Sequence, residues 1–353
     1  MSHPAATDAR SVAAERFFAA EAPRLAELCQ AMAERFARGG RLLACGRSDA
    51  DWSDARHVAV EFVHPVIVGK RALPALALPV DEVGRHAGPD DMVIAFGDPP
   101  DTDCLLITFA PPTDDPFVAQ ELVETAYHVL WELVHVFFDH LPGSGAGTGA
   151  SSFLYPFLGA GEQDLDAVRA DVEASVLAKA ADATALREQT LSENHEVLVT
   201  AASALRGAGT ILALGNGGSA TDAMDAVADL RAGGIAIRAL DLTADAPILT
   251  AVANDIGTEA MFARQVIAYG QPGDGLLAFS TSGGSANVIA ALAEGRRRGL
   301  VTVAFVGYDG GSIAAEGLAD HVVISRSEHI PRIQEAQASA WHVLRELVIT
   351  AER

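Results

Sequence analysis

Short apolar runs alternate along this chain with longer stretches in which apolar residues recur every three or four positions. RLLACG (41–46), TILALG (210–215), AIRALDL (236–242), GLLAFS (275–280), LVTVAFVG (300–307) and HVVIS (321–325) have the length of buried strands. Residues 11–38 and 163–206 carry helical spacing, each just ahead of a strand-like run. Buried strands alternating with helices predict parallel sheets covered by helices, an α/β fold. One stretch interrupts the pattern. PGSGAGTGA at 142–150 has the composition of a flexible linker, and apolar SSFLYPFL follows at 151–158. The expected organisation is a domain over 1–141, a linker over 142–162 and a domain over 163–353, each a doubly wound parallel sheet flanked by helices.

The 353 residues suffice for two such domains. A formal net charge of −22 argues against a nucleic-acid partner, whose phosphates would be repelled, and leaves any anionic ligand to local donors. No apolar stretch reaches the roughly 20 residues that span a bilayer, so no membrane partner is expected. Three cysteines without CxxC spacing, and an N-terminus without a signal-peptide pattern, fit a reducing cytoplasm.

The first candidate chemistry lies at 212–230, LALGNGGSATDAMDAVADL. A glycine turn between a buried strand and a helix lets backbone approach a ligand, and the helix N-terminus adds unpaired N–H groups. Ser219 can donate a hydroxyl there, or simply cap the helix. A second such junction favours the ligand. GLLAFS runs into Ser280-Thr281-Ser282-Gly283-Gly284-Ser285, and another helical pattern follows. Two hydroxyl-rich loops at strand C-termini form a phosphate cradle that needs no lysine or arginine.

GNGGSATDAMDAVADL, FSTSGGSANVIAAL and RIQEAQASAWHVLREL, in that order, resemble the sugar-isomerase (SIS) domain family, closest to its phosphoheptose isomerases. The resemblance covers about residues 165–350 and implies flavodoxin-like domains, phosphosugar binding, aldose–ketose isomerisation and no nucleotide cofactor. It also implies a homo-oligomer, here a homodimer of two-domain chains, with sites near subunit contacts. Carried over by position, Asn216, Ser219, Ser280, Thr281, Ser282 and Ser285 are the phosphate-binding residues, and Asn254 and Asp255 lie beside the sugar. Gln334 and the acid/base His342 stand on the C-terminal helix. The family's His-x-x-x-Glu pair on the first helix is Asp225 and Asp229 here, and Pro331 replaces a family aspartate.

The first half follows the same order. His57 and Glu61 stand four apart, matching the family's first-helix pair, and Gln120 and His128 stand eight apart, matching Gln334 and His342. LPALAL at 73–78 also has a counterpart in the family. The hydroxyl loops are missing, with Pro99 and Pro100 in place of hydroxyls. The resemblance makes residues 11–140 a diverged copy of the domain. In some family members the four positions hold zinc, so His57, Glu61, Gln120 and His128 are the candidate metal ligands; two imidazoles, a carboxylate and an amide oxygen make a feasible tetrahedral set. The two halves are expected to pair within the chain as a pseudo-dimer, and a composite site drawing on both is its sharper form.

Each candidate also has an ordinary reading. His57 and His128 could be surface histidines, Asp225 and Asp229 a solvated stripe, and Trp131 and Trp341 core or interface. His64, His86, His135, His140 and His321 are read as structural or exposed. Asp98, Asp101, Asp103, Asp114 and Asp115 are read as a solvated loop, and Gly310-Gly311 as a turn. The reaction expected is isomerisation of a sedoheptulose 7-phosphate-like substrate. Asp229 takes the proton beside the carbonyl, His342 shuttles protons through an ene-diol, and zinc is a possible cofactor. Asp225 and Asp229 lie six and ten residues past Ser219, about 9 and 15 Å along a helix, the reach of an extended seven-carbon phosphate. The alternative is a non-catalytic protein that senses a sugar phosphate or docks a partner.

Overall fold

The computed structural model describes residues 3–66, 70–138, 165–232 and 237–350. The 142–162 stretch and His140 lie outside the described residues. The chain divides into two compact units, Met1–Thr184 and Ala185–Arg353.

The first unit runs α1 (His3–Ala37), β1 (Leu42–Gly46), α2 (Asp49–Val63), β2 (Ala75–Pro79), α3 (Val83–His86), β3 (Met92–Ala95), β4 (Leu105–Ile107) and α4 (Pro116–Phe138). The next helix, α5 (Leu165–Glu193), begins in this unit, and the division after Thr184 falls inside it. The sheet is parallel with order β2-β1-β3-β4. Period-two alternation splits each strand between two cores. Leu42, Ala44, Met92 and Ile94 face a large core with α1, α4 and the valines of α5 (Val168, Val172, Val176). Leu43, Cys45, Val93 and Ala95 face a thin one closed by Val80 and Val83. The second face is thin because β3 passes to β4 through GDPPDTDC with no helix.

The second unit continues with α6 (His195–Leu205), β5 (Thr210–Leu214), α7 (Gly218–Ala232), β6 (Arg238–Asp241), α8 (Ala246–Asp255), α9 (Met261–Tyr269) and β7 (Gly275–Ser280). It ends with α10 (Ala286–Arg298), β8 (Val301–Gly307), α11 (Gly311–Ala315), β9 (His321–Ser325) and α12 (Ile330–Thr350). Its parallel sheet has order β6-β5-β7-β8-β9. The order reverses between β5 and β7, which opens a crevice at their C-terminal ends. Ile211, Leu277, Phe279, Val303 and Phe305 face one core, and Leu212, Leu276, Ala278, Ala304 and Val306 face the other. The rings of Phe279 on β7 and Phe305 on β8 stack with centroids 4.8 Å apart.

The continuous helix expected over 163–206 is two helices. Asn194 breaks it, because its amide serves the sheet instead: Nδ2 donates to Ile324 O at 3.0 Å and Oδ1 accepts from Ile324 N at 2.9 Å. Asp115 is not merely part of a solvated loop, since its Oδ1 accepts from the backbone N–H of Phe117 and Val118 and caps α4. No helix among the described residues is long and apolar enough to cross a membrane.

Candidate functional site

Both hydroxyl loops of the second unit flank the β5/β7 crevice. The first leaves β5 through Gly215, where a Cβ would come within 2.0 Å of Ser219 O, so only glycine lets the chain double back into α7. Ser219 is buried at the start of α7. The second loop leaves β7 at buried Ser280, whose Oγ lies 3.4 Å from Ser285 Oγ, while Ser282 Oγ accepts from Gly284 N at 3.2 Å. Gly283 has φ +60°, and a Cβ on it would meet Gly310 O at 2.2 Å. The 307–311 turn braces this loop: Gly307 N donates to Thr281 O at 3.0 Å and Ile313 N to Gly283 O at 2.9 Å. In that turn Tyr308, at φ 54°, is the single non-glycine residue with positive φ among the described residues. Backbone strain of this kind collects where a loop is over-determined by its surroundings.

Asn216 and Asn287 join the loops. Each amide donates to the other's oxygen, at 2.9 and 2.8 Å. Nothing in the spacing announced Asn287; its position directly after the serine loop was the available signal. Asn254 and Asp255 end α8, exposed, with Asn254 Nδ2 on Asp255 Oδ1 at 2.7 Å.

Farther along α7, Asp225 and Asp229 are half-buried. Asp229 Oδ2 accepts the Trp341 indole N–H at 2.8 Å and lies 3.7 Å from His342 Nε2. Arg345 donates from Nε and Nη2 to Asp229 O at 3.1 and 3.0 Å. The expected carboxylate–histidine pair is thus brought together on α7 and α12, with Trp341 as a holder that sequence reading assigned only to packing. Gln334 is buried on α12, and its neighbours Arg332 and Glu335 form a buried ion pair at 2.9 Å.

In the first unit the corresponding loop position is filled from within. After β1, Asp51 Oδ2 accepts from Ser48 N at 3.0 Å and Arg47 N at 3.3 Å, and Ser48 Oγ accepts from Asp51 N in return. This capping box places a carboxylate where the second unit has open hydroxyls. Gly46 and Gly97 lie against Asp51, so the chain packs onto that carboxylate.

The four candidate metal positions come from α2 and α4. His57, Glu61 and His128 are buried, with one ligand atom from each within 4.8 Å of the others. His57 Nε2 faces His128 Nε2 at 3.3 Å and Glu61 Oε1 at 3.9 Å. A tetrahedral zinc with Zn–N near 2.0–2.1 Å separates its ligand atoms by about 3.3–3.4 Å. Glu61 Oε2 is buried with no hydrogen-bond partner among the described residues, as expected of an oxygen reserved for a cation. Burial, with His128 nearby, holds His57 well below the ordinary histidine range, and burial pushes Glu61 up to about 7. The residues therefore fit zinc. Gln120 Nε2 sits on Asp54 Oδ1 at 3.4 Å. Among the described residues, Asp225, Asp229 and His342 are not drawn together in that way.

Two parallel sheets, each with the 2-1-3-4 strand order, define an α/β protein with a switch-point crevice between β5 and β7. The comparisons narrow that class. A sequence profile described as the SIS domain matches residues 178–307, which contain both hydroxyl loops. The phosphoheptose isomerase of Paramagnetospirillum magneticum is 42% identical over 173 residues, 48% of this chain and 89% of that one. The tagatose-6-phosphate ketose/aldose isomerase of Escherichia coli shares the fold at 12% identity, TM-score 0.55, over 97% of this chain and 91% of that one. The C-terminal domain of glucosamine-fructose-6-phosphate aminotransferase from Francisella tularensis does so at 10% identity, TM-score 0.53, over 95% of each. The chain belongs to the SIS-domain family.

Proposed function

We propose that this protein binds a sugar phosphate through its second unit and interconverts the aldose and ketose forms, with a sedoheptulose 7-phosphate-like substrate. The observation that carries the reading is the pair of hydroxyl loops tied by Asn216 and Asn287, the first of which opens α7, the helix whose Asp229 stands beside His342 of α12. The phosphate lies on Ser219, Ser280, Thr281, Ser282 and Ser285, held by hydroxyls and the α7 N-terminus. Asn254 and Asp255 contact the sugar. Asp229 takes the proton from the carbon beside the carbonyl, giving an ene-diol. His342 moves a proton from one oxygen to the other, and the carbon proton returns to the neighbouring carbon. One carbon is oxidised as its neighbour is reduced, so no nucleotide cofactor is consumed. Asp225 and Gln334 line the same helices and hold the sugar hydroxyls. The 42% identity to a phosphoheptose isomerase supports both the reaction and the seven-carbon substrate.

His57, Glu61 and His128, with Gln120 as the fourth donor, would hold zinc, which supplies a Lewis acid when bound. The proton transfers above use only second-unit residues. Assembly as a homodimer of two-domain chains completes the proposal. The test is turnover of sedoheptulose 7-phosphate by the purified chain. Binding of the sugar phosphate without turnover would leave a sensing protein in place of the isomerase.

A further inference from the structure

Two residues outside the ligand set, Tyr127 and Asp54, stand behind His57, and Gln120 joins them. Tyr127 Oη lies 3.1 Å from His57 Nδ1 and 3.2 Å from Asp54 Oδ1, and Gln120 Nε2 lies 3.4 Å from the same Asp54 oxygen. All but half-buried Gln120 are buried, and Tyr127 packs its ring edge-on to His128 at 5.1 Å.

The proton positions follow from what each group can do. The Tyr127 hydroxyl has one hydrogen and faces a carboxylate oxygen and an imidazole nitrogen. A hydrogen bond to an ionised carboxylate is roughly twice as strong as one between neutral groups, so the hydroxyl hydrogen goes to Asp54. Tyr127 Oη then faces His57 Nδ1 as an acceptor, which favours the proton on that nitrogen. A neutral imidazole with its proton on Nδ1 presents a lone pair at Nε2. That Nε2 is the atom facing His128 Nε2 and Glu61 Oε1.

We propose that Tyr127 and Asp54 are positioning residues that lock His57 in its Nδ1–H tautomer and aim the Nε2 lone pair at the His128–Glu61 cluster. The chain Gln120–Asp54–Tyr127–His57 orients the ligand from behind, as carboxylates and carbonyls do behind metal-binding histidines. Two helices supply it. Asp54 and His57 lie one turn apart on α2, and Gln120 and Tyr127 lie two turns apart on α4. Gln120 holds Asp54 through its Nε2, a bond that does not use the amide oxygen counted as a zinc donor. The consequence for affinity rests on the zinc reading of the cluster; the tautomer does not.

The test uses the full chain with Tyr127→Phe, which keeps the ring and deletes the hydroxyl. Its first arm is the His57 tautomer in metal-free protein, read from side-chain nitrogen NMR and assigned by loss of the signal in His57→Gln. The wild type is expected as Nδ1–H, and Tyr127→Phe is expected to lose that tautomer. The second arm is zinc affinity by competition with a chromophoric chelator, expected to fall about 10–100-fold in Tyr127→Phe. Thermal melting of the variant checks the fold. A wild-type Nε2–H tautomer, or a variant matching wild type in both arms, overturns the proposal. An Nδ1–H tautomer in wild type that is lost in Tyr127→Phe, with no zinc uptake by wild type, upholds the positioning and removes the metal reading.

Discussion

Trp341 fastens Asp229: the indole N–H meets Oδ2 at 2.8 Å and sets the carboxylate 3.7 Å from His342 Nε2. An aspartate is one methylene shorter than glutamate, so its reach depends on how its helix and rotamer are held. Here α12 supplies both the tryptophan that holds the carboxylate and the histidine beside it. Arg345, from the same helix, binds the Asp229 backbone carbonyl.

Removing the holder should therefore affect chemistry more than binding. Trp341→Phe keeps an aromatic body and deletes the donor. In steady-state kinetics on the sugar phosphate, kcat is expected to fall about tenfold, the worth of one lost hydrogen bond to a charged group, with KM little changed. Asp229→Ala is expected to lower kcat by about a hundredfold or more, the usual contribution of a general base. Equal kcat in wild type and Asp229→Ala would remove Asp229 from the reaction.

The hydroxyl loops should behave oppositely. Ser280→Ala with Ser282→Ala is expected to weaken sugar-phosphate binding, each lost bond to the phosphate costing about 1.5–3 kcal/mol. Calorimetry reads this directly. Wild-type affinity in the folded double variant would place the phosphate elsewhere.

Gly283→Ala tests the brace beneath the second loop. The added Cβ meets Gly310 O at 2.2 Å on a backbone with φ +60°. A loss of about 1–3 kcal/mol in stability is expected, the cost of a residue forced into a sparsely populated region. Denaturant unfolding gives the stability, and phosphate affinity should fall with it. Unchanged values for both would mean that the loop does not depend on this contact.

The fold was legible because its central strands are buried on both faces and so read as apolar runs. Ile211–Leu214, Leu276–Phe279 and Val303–Val306 needed no more than that. The hydroxyl loops were legible because their glycines and serines are contiguous in the sequence, between an apolar run and a helical pattern. What stayed hidden depends on approach in space. Asn287 meets Asn216 across 71 residues, Trp341 meets Asp229 across 112, and Tyr127 meets Asp54 across 73. No spacing rule pairs residues at such separations. The helix break at Asn194 was invisible for the same reason, because the competing partner is the backbone of Ile324.

Acid should destabilise the first unit. His135 is buried, and burial lowers it to about 4, outweighing the backbone carbonyls of Trp131 and Arg71 that favour its charged form. The unfolded chain takes up that proton near pH 6.5 and the folded chain only near 4. Stability is thus present above pH 6.5 and lost as pH falls towards 4, by about 3 kcal/mol for this group. His57, also lowered by burial, acts in the same direction. Denaturant melts across this window should show a shallower pH slope in His135→Gln. A slope identical to wild type would mean that His135 titrates normally in the folded protein.

The central claim is that the second unit turns over a sugar phosphate held on its hydroxyl loops. Its most direct measurement is the interconversion of sedoheptulose 7-phosphate and its aldose isomer by the purified chain. The reaction is followed by carbon-13 NMR, with Ser280→Ala/Ser282→Ala and His342→Ala run beside it, each with and without added zinc. Isomerisation by wild type, raised KM in the serine variant and lost kcat in His342→Ala are the predicted results. No isomerisation by wild type under either condition, or full activity in His342→Ala, would contradict the account.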